Sequence, residues 1–495
     1  MFSWIKNIFE NIKDLNHVVE DYKSDSIIQS LPTVACVNKA KKLIREKKFE
    51  EAETVLKKAL DISEQDSMIF KYLGKIYEQR YKFEEAVNYY QKSSKLNPTD
   101  KEIWLRLGMS LLNCKKLSEA IFAFEQGDKV TPFNTDIYTG WGMALMKQKK
   151  YALARDKFQT ASQISKYNYT AILLSAIMEV NLHDYDSAEM KLQFLAKVAP
   201  NESSTYEYAN LKFLKSDYKE AEKFALKSIE INKQMLPAYL LLGNIYSLQK
   251  DKTKMDNIFQ KAIDNGLDCA LLHDIWGRGY LRFFEFEKAG EQFSISIEKD
   301  SESIEPKLGL ALVKAYNKDF LLLDELKEKN GQSSYIQEAI GLEEMSSGKI
   351  QDAIESFKKA LRTEPKQTFN YYNLARSYKN MGDNYKVREN YEKFITENPD
   401  YIDGFIDYSE WLIETGDFAD AQRKLRRAER LDKNNAKVLN LLFLTLYTLV
   451  KKNLCEYNIK EAISVAQKAQ DLGNLQYPEQ KQELENILKD IQGNK

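Results

Sequence analysis

Small and apolar residues recur along the chain at the spacing of paired helices. In LGKIYEQRYKFEEAVNYYQKSSKLNP, residues 73–98, Leu73, Gly74 and Tyr77 are followed by Ala86, Tyr90 and a closing Pro98. Thirty-four residues later, LGMSLLNCKKLSEAIFAFEQGDKVTP repeats the layout with Gly108, Leu111, Ala120, Phe124 and Pro132. A period of this length predicts an array of helix hairpins. The small position runs Ala40, Gly74, Gly108, Gly142, Ala176, Ala209, Gly243, Gly277, Ala311, Gly341, Ala375, Ser409. Twelve residues further on lies a second series: Ala52, Ala86, Ala120, Ala154, Ala188, Ala221, Met255, Ala289, then Ala353, Val387 and Ala421. Two antiparallel helices approach closely only where side chains are small. Larger residues such as Trp104, Tyr138, Trp141, Trp276 and Phe293 then fill the space around the crossing. Pro98, Pro132, Pro200, Pro365 and Pro399 end second helices, because proline cannot continue one.

The pattern predicts an all-α chain, with an N-terminal helix and connector over 1–32 and a repeat array over 33–303. A shortened unit follows over 304–333, then a second array over 334–473 and a capping helix with its tail over 474–495. Only thirty residues separate Ala311 from Gly341, and Leu323 stands where the second series wants alanine, so a bend is expected there. After Phe443 the next alanine, Ala462, comes seven residues late, so KKNLCEYN is expected to be an extra loop. VLNLLFLTLYTLV, 438–450, is too short to cross a bilayer, which needs about 20 residues, and reads as a helix buried on most sides. YPEQKQELENILKDIQ, 477–492, suits a solvent-facing cap.

These residues resemble the tetratricopeptide repeat (TPR) family. Residues 67–100 match its pattern as Phe70, Leu73, Gly74, Tyr77, Ala86, Tyr90, Ser93 and Pro98, and the likeness runs from about 33 to 473, some thirteen units. It implies an α-solenoid, a right-handed superhelix of antiparallel helix pairs with a concave face lined by first helices. At one lining position, Asn210, Asn244 and Arg278 follow in successive units. Asparagine carries both a donor and an acceptor, so a row of them can pair with an extended peptide backbone. The alternative is ordinary polar surface. Arg278 and Arg282 lie one turn apart, with Tyr206 two units earlier, and would suit an acidic segment or a terminal carboxylate. The alternative is an i, i+4 ion pair between Asp274 and Arg278. Met109, Met143, Met146 and Ile177 offer an apolar floor, unless neighbours cover them. Lys71, Lys75, Arg106, Asp136 and Gly140 do not reproduce the clamp of chaperone-binding relatives.

Composition narrows the chemistry. The 495 residues carry a net charge of −1, which argues against coating nucleic acid. Nine prolines and 19 glycines fit a helical chain with few linkers. Cys36, Cys114, Cys269 and Cys455 stand alone, so neither a disulfide frame nor a zinc site is indicated, and a reducing cytoplasm is expected. His17, His183 and His273 are far apart, and no nucleotide, hydrolase or metalloprotease motif is present. Neither enzymatic activity nor a metal or other cofactor is expected. The basic run RKLRRAERLDK, 423–433, reads as a solvated second-helix face, with an acidic partner or nucleic acid as the alternative.

At the N-terminus, Phe2, Ile5, Ile8, Phe9, Ile12, Leu15 and Val19 fall at helical spacing beside Trp4. That face is expected to cover the first repeat or, alternatively, to dock on a membrane surface or a partner. Lys6 and Lys13 are offset by Glu10 and Asp14, so anionic lipid offers little. The sequence therefore points to a cytoplasmic, non-enzymatic scaffold or adaptor for protein or extended peptide segments. The competing expectation is a structural part of a membrane-associated machine (motility, secretion or pilus apparatus) seated through residues 1–22.

Overall fold

The computed structural model describes residues 32–493 apart from 62 and 454. The docking residues expected at the N-terminus, Phe2, Trp4, Ile5, Ile8, Phe9 and Ile12, lie outside that range. The described residues form 27 α-helices and no strand. Thirteen hairpins follow one another, with odd numbers for first helices and even numbers for second helices. They are α1 (Pro32–Arg45) with α2 (Phe49–Leu60), α3 (Ser67–Gln79) with α4 (Phe83–Leu96), and α5 (Ile103–Asn113) with α6 (Leu117–Val130). Next come α7 (Thr135–Lys147) with α8 (Tyr151–Ile164), α9 (Tyr169–Asn181) with α10 (Tyr185–Val198), and α11 (Glu202–Leu214) with α12 (Tyr218–Ile231). Then follow α13 (Leu236–Leu248) with α14 (Lys252–Asp264), α15 (Ala270–Arg282) with α16 (Phe286–Lys299), and α17 (Glu305–Tyr316) with α18 (Leu321–Asn330). The last four pairs are α19 (Ser334–Ser346) with α20 (Ile350–Thr363), α21 (Phe369–Met381) with α22 (Asn384–Glu397), α23 (Ile402–Glu414) with α24 (Phe418–Leu431), and α25 (Ala436–Lys452) with α26 (Glu456–Asp471). A final helix, α27 (Pro478–Gly493), closes the chain. The chain divides into two compact units, Met1–Ala238 and Tyr239–Lys495.

Local chemistry sets the helix limits. Asp66, Asn134, Asn168, Asp184, Asp217, Asp251 and Asp383 each accept a backbone N–H of the helix they open. The turn inside every hairpin from α1–α2 to α23–α24 holds one residue in the left-handed region. It is Lys47, Tyr81, Lys115, Lys149, His183, Ser216, Lys250, Phe284 and Lys318, and then Gly348, Gly382 and Gly416. Glycine adopts this conformation without strain, whereas the nine other residues each give up about 1 kcal/mol to hold it.

Packing explains the two small series. All twelve residues of the first are buried, and every member of the second is fully buried. Where the first series has glycine, an aromatic ring sixteen residues later fills the gap. A Cβ built on Gly74, Gly108, Gly142, Gly243, Gly277 or Gly341 would lie 2.0–2.7 Å from Tyr90, Phe124, Phe158, Phe259, Phe293 or Phe357 respectively. Where the small residue is Ala40, Ala176 or Ser409, that place holds Leu56, Leu192 or Leu425, all fully buried. Volume is thus conserved across these crossings. Ala209, Ala311 and Ala375 depart from the rule, since the place holds Ala225, Lys327 and Tyr391 respectively.

The irregular units also have a physical account. In the short unit α18 has 10 residues, and Leu323 takes the second-series place with no exposed surface. With α18 so short, α17 packs directly on α19. The late Ala462 is not accommodated by the loop that the sequence suggested. Instead α25 grows to 17 residues and carries Lys451 and Lys452, while Glu456, Tyr457 and Asn458 already belong to α26. Burying the apolar face of 438–450 favours continuing the helix over opening a loop, and Val438, Leu439, Leu442, Phe443, Leu446 and Val450 are all buried. α27 lays Leu484, Ile487, Leu488 and Ile491 against the end of this core.

Candidate binding surface

The first unit presents Tyr206 and Asn210 on α11, both half-buried. Between them lies Glu207, whose carboxyl is buried and hydrogen-bonded to Asn210. Burial pushes that carboxyl up to about 7, and the Asn210 bond opposes the shift. Burial, reinforced by Glu207, also holds the Tyr206 hydroxyl above its ordinary range. Asn210 is therefore engaged by an acid of its own helix. Glu207 itself gave no signal in the sequence, because an isolated acid one turn from a small residue reads as surface.

The second unit carries Asn244 on α13 and Arg278 and Arg282 on α15, all half-buried. Arg278 forms a two-point ion pair with buried Asp274, Nε to Oδ1 at 3.1 Å and Nη2 to Oδ2 at 2.8 Å. Arg282 donates to Asn244 Oδ1 at 3.2 Å and to Ser247 Oγ at 2.8 Å. Asn244 and Arg282 thus meet, whereas Arg278 turns to the acid on its own helix. Lys250 donates to the Arg282 carbonyl and lies 5.1 Å from the Phe284 ring centroid. Burial and then the Arg282 charge bring its amine down to about 8, with Asp400 opposing. Tyr335 on α19 lies close enough to Arg278 and Arg282 for their charges to lower its hydroxyl, although burial pushes it up on balance. The result is a cationic, partly aromatic stretch of first-helix surface.

Other expected features are used internally. Met143, Met146 and Ile177 are buried in the core of the first unit and Met109 is half-buried against it, so most of the apolar floor is not open. Lys71 pairs with Asp100 at 2.7 Å and Lys75 with Glu102 at 2.8 Å, while Arg106 bridges Glu102 and Glu78. Burial would raise the Glu102 carboxyl, but Arg106, Lys75 and Lys71 together hold it well below the usual range. In the run at 423–433, Arg423, Lys424, Arg426 and Arg427 are paired with Asp420, Glu392, Glu429 with Glu461, and Asp400. That pairing leaves a mixed-charge face.

Two features of the second unit had no signature in the sequence. Glu338 on α19 is buried and accepts from Tyr316, Gln367, Asn370 at 2.9 Å and Asn373 at 3.4 Å. Asn373 also donates to the Tyr316 hydroxyl at 2.9 Å, so α17, α19 and α21 converge on one carboxyl. Burial pushes Glu338 up to about 7, against those hydrogen bonds. Beside this network Phe284 meets Phe369 at 4.7 Å and Tyr401 at 4.8 Å between ring centroids, and Phe286 meets Tyr316 at 4.1 Å. The turn after α15 is thereby joined to α21 and to the start of α23. Among the described residues no cluster of three or more His, Cys, Asp or Glu could hold a metal. No described helix is long and apolar enough to cross a membrane.

Comparison with known proteins follows from this architecture. The family model for the tetratricopeptide repeat protein 21 C-terminal ARM domain matches residues 32–139, and that for the tetratricopeptide repeat matches 236–265 and 370–401. The crystal structure of the APC/C hetero-tetramer Cut9–Hcn1 resembles the chain with a TM-score of 0.50 at 14% identity, over 89% of this chain and 96% of that one. The PilF structure from Pseudomonas aeruginosa gives 0.37 at 17% identity, over 42% and 94%. Yeast Tom70 gives 0.31 at 19% identity, over 93% and 96%. No curated protein sequence matches the chain. At these identities the Cut9–Hcn1 likeness speaks for the fold alone. Taken with the repeat register and the family models that match parts of the chain, it shows an all-α solenoid of helix pairs built from tetratricopeptide-like repeats.

Proposed function

We propose that the protein is a non-enzymatic scaffold or adaptor that binds extended, acidic segments of partner proteins along the surface of its first helices. Tyr206 and Asn210 serve in the first unit, and Asn244, Arg278 and Arg282 in the second. The observation that carries this reading is the cationic stretch on α15, where Arg278 and Arg282 stand one turn apart, beside Lys250 and Tyr335. A guanidinium resting on neutral amide and hydroxyl oxygens can exchange them for a carboxylate and gain a charge-assisted pair. Four free cysteines agree with a cytoplasmic setting.

The test is an affinity capture from native lysate with the wild-type chain and an Asn210→Ala, Asn244→Ala, Arg278→Ala variant of equal helicity. Partners lost only from the variant place recognition on the first helices. Partners retained equally by both would sink the proposal.

A further inference from the structure

The opposite surface of the first unit carries a feature the first helices do not explain. On α10, Met190, Phe194 and Val198 are 70%, 43% and 55% exposed, although each is apolar. Their spacing of four residues sets them in one stripe along about 12 Å of helix. The two second helices beside it do not repeat it. The equivalent residues are Asp156, Thr160 and Ile164 on α8, and Lys223, Lys227 and Ile231 on α12. Aromatic residues extend the stripe sideways: Tyr169 lies 6.5 Å from Phe194, and Tyr167, 83% exposed, lies 6.5 Å from Tyr169. Contiguous exposed apolar surface of this kind marks a contact site.

Charge selects the occupant. Lys166 precedes Tyr167 and Lys197 precedes Val198, and both are exposed. Among the described residues neither makes an ion pair or hydrogen bond. Nearby lysines behave otherwise: Lys191 pairs with Glu179, and Lys212 and Lys215 pair with Glu189. Two unpaired cations beside an apolar ridge complement acids flanking the apolar face of an amphipathic helix. A second copy of this chain fits less well. It would bring a second set of the same two lysines to the contact and not the acids that would complement them. An anionic membrane is also disfavoured, because surface attachment of that kind takes clusters of about 4–8 basic residues.

We infer that the α10 stripe, with Tyr167, Tyr169, Lys166 and Lys197, docks an amphipathic helix of a partner protein whose apolar face is flanked by acidic residues. This surface is independent of the first-helix reading and stands if that reading fails.

The test uses the full chain and two synthetic 18-residue helical peptides with leucine at i, i+3, i+4 and i+7. One is flanked by glutamates and the other by lysines. Fluorescence anisotropy should show the glutamate peptide binding wild type at least tenfold more tightly than the lysine peptide. Phe194→Glu, at an exposed position that leaves the fold intact, should abolish binding. Lys166→Glu/Lys197→Glu should reverse the preference. Equal binding of both peptides, or binding unchanged in Phe194→Glu, overturns the inference. So does self-association of wild type in sedimentation that Phe194→Glu removes, or flotation on phosphatidylserine vesicles that it abolishes.

Discussion

Replacing Gly108 with alanine tests the volume rule at a single crossing. In an ordinary helix interior the change would stabilise by about 1 kcal/mol, because alanine is the better helix former. Here the new Cβ would sit 2.6 Å from Phe124 Cε1 and 2.8 Å from its Cδ1 and Cζ, well inside ordinary contact at 3.4–4 Å. The ring is already enclosed, since a Cβ on Gly140 would likewise lie 2.6 Å from its Cζ and the ring is fully buried. Overpacking of this kind costs about 1–3 kcal/mol, so the expected net loss is about 0–2 kcal/mol. Phe124→Leu alone leaves part of a ring volume empty and should cost about 1–2 kcal/mol. Gly108→Ala/Phe124→Leu recreates the pairing used at Ala40–Leu56 and Ala176–Leu192. The double variant should therefore lose less than the sum of the singles, by about 1–2 kcal/mol of coupling. Repeat arrays need not unfold as one step. Native-state hydrogen exchange of α5, α6 and α7 reads the local free energy directly. A more stable Gly108→Ala, or strictly additive losses, would refute the volume rule.

Three further outcomes are expected. The Glu338 carboxyl is held up to about 7, so the protonated form carries the stability; that contribution is complete below about 4.5 and is lost as pH rises through 7. The second unit of wild type should thus weaken by roughly 3 kcal/mol between pH 5 and 8, and Glu338→Gln should remove that slope in urea titrations. Phe284→Ala deletes the ring that meets Phe369 and Tyr401 and should cost about 2–4 kcal/mol, read as faster exchange in α21 and the start of α23 while α3 to α10 stay unchanged. Gly416→Ala places a Cβ at φ 82° and should lower the melting midpoint, whereas Lys115→Gly, at φ 60°, should raise it.

The hairpins were legible because close helix approach leaves one solution, a small residue at a fixed period. The short unit was announced by the chain length between Ala311 and Gly341 and by Leu323 at a place that elsewhere is mostly alanine. The left-handed turns were not legible: nine of the twelve lack glycine, and a lysine or a phenylalanine there carries no local mark. Glu207 and Glu338 were hidden because an acid declares itself surface until tertiary packing encloses it. The surface series was read in register, but register does not reveal partners. Asn210 is held by Glu207, which the sequence did not single out, whereas the pair of Arg278 with Asp274 is the alternative the spacing offered, and Met143 and Ile177 are simply buried. The Phe284 packing required the course of the chain through five further helices.

That last packing arrangement also sets an order of events. Most hairpins can pack as soon as the next one emerges, because their surfaces face neighbours. Phe284 leaves the ribosome long before Phe369, Phe394 and Tyr401, and at typical synthesis rates it waits for several seconds without them. Its backbone meanwhile favours leaving the left-handed turn, which nothing yet rewards. The second unit therefore reaches its final form only when α21 and the start of α23 arrive, so its early hairpins mature retroactively. A truncation before Phe369 should leave α15 and α16 with an incomplete corner and a preference for chaperones that capture exposed aromatic side chains.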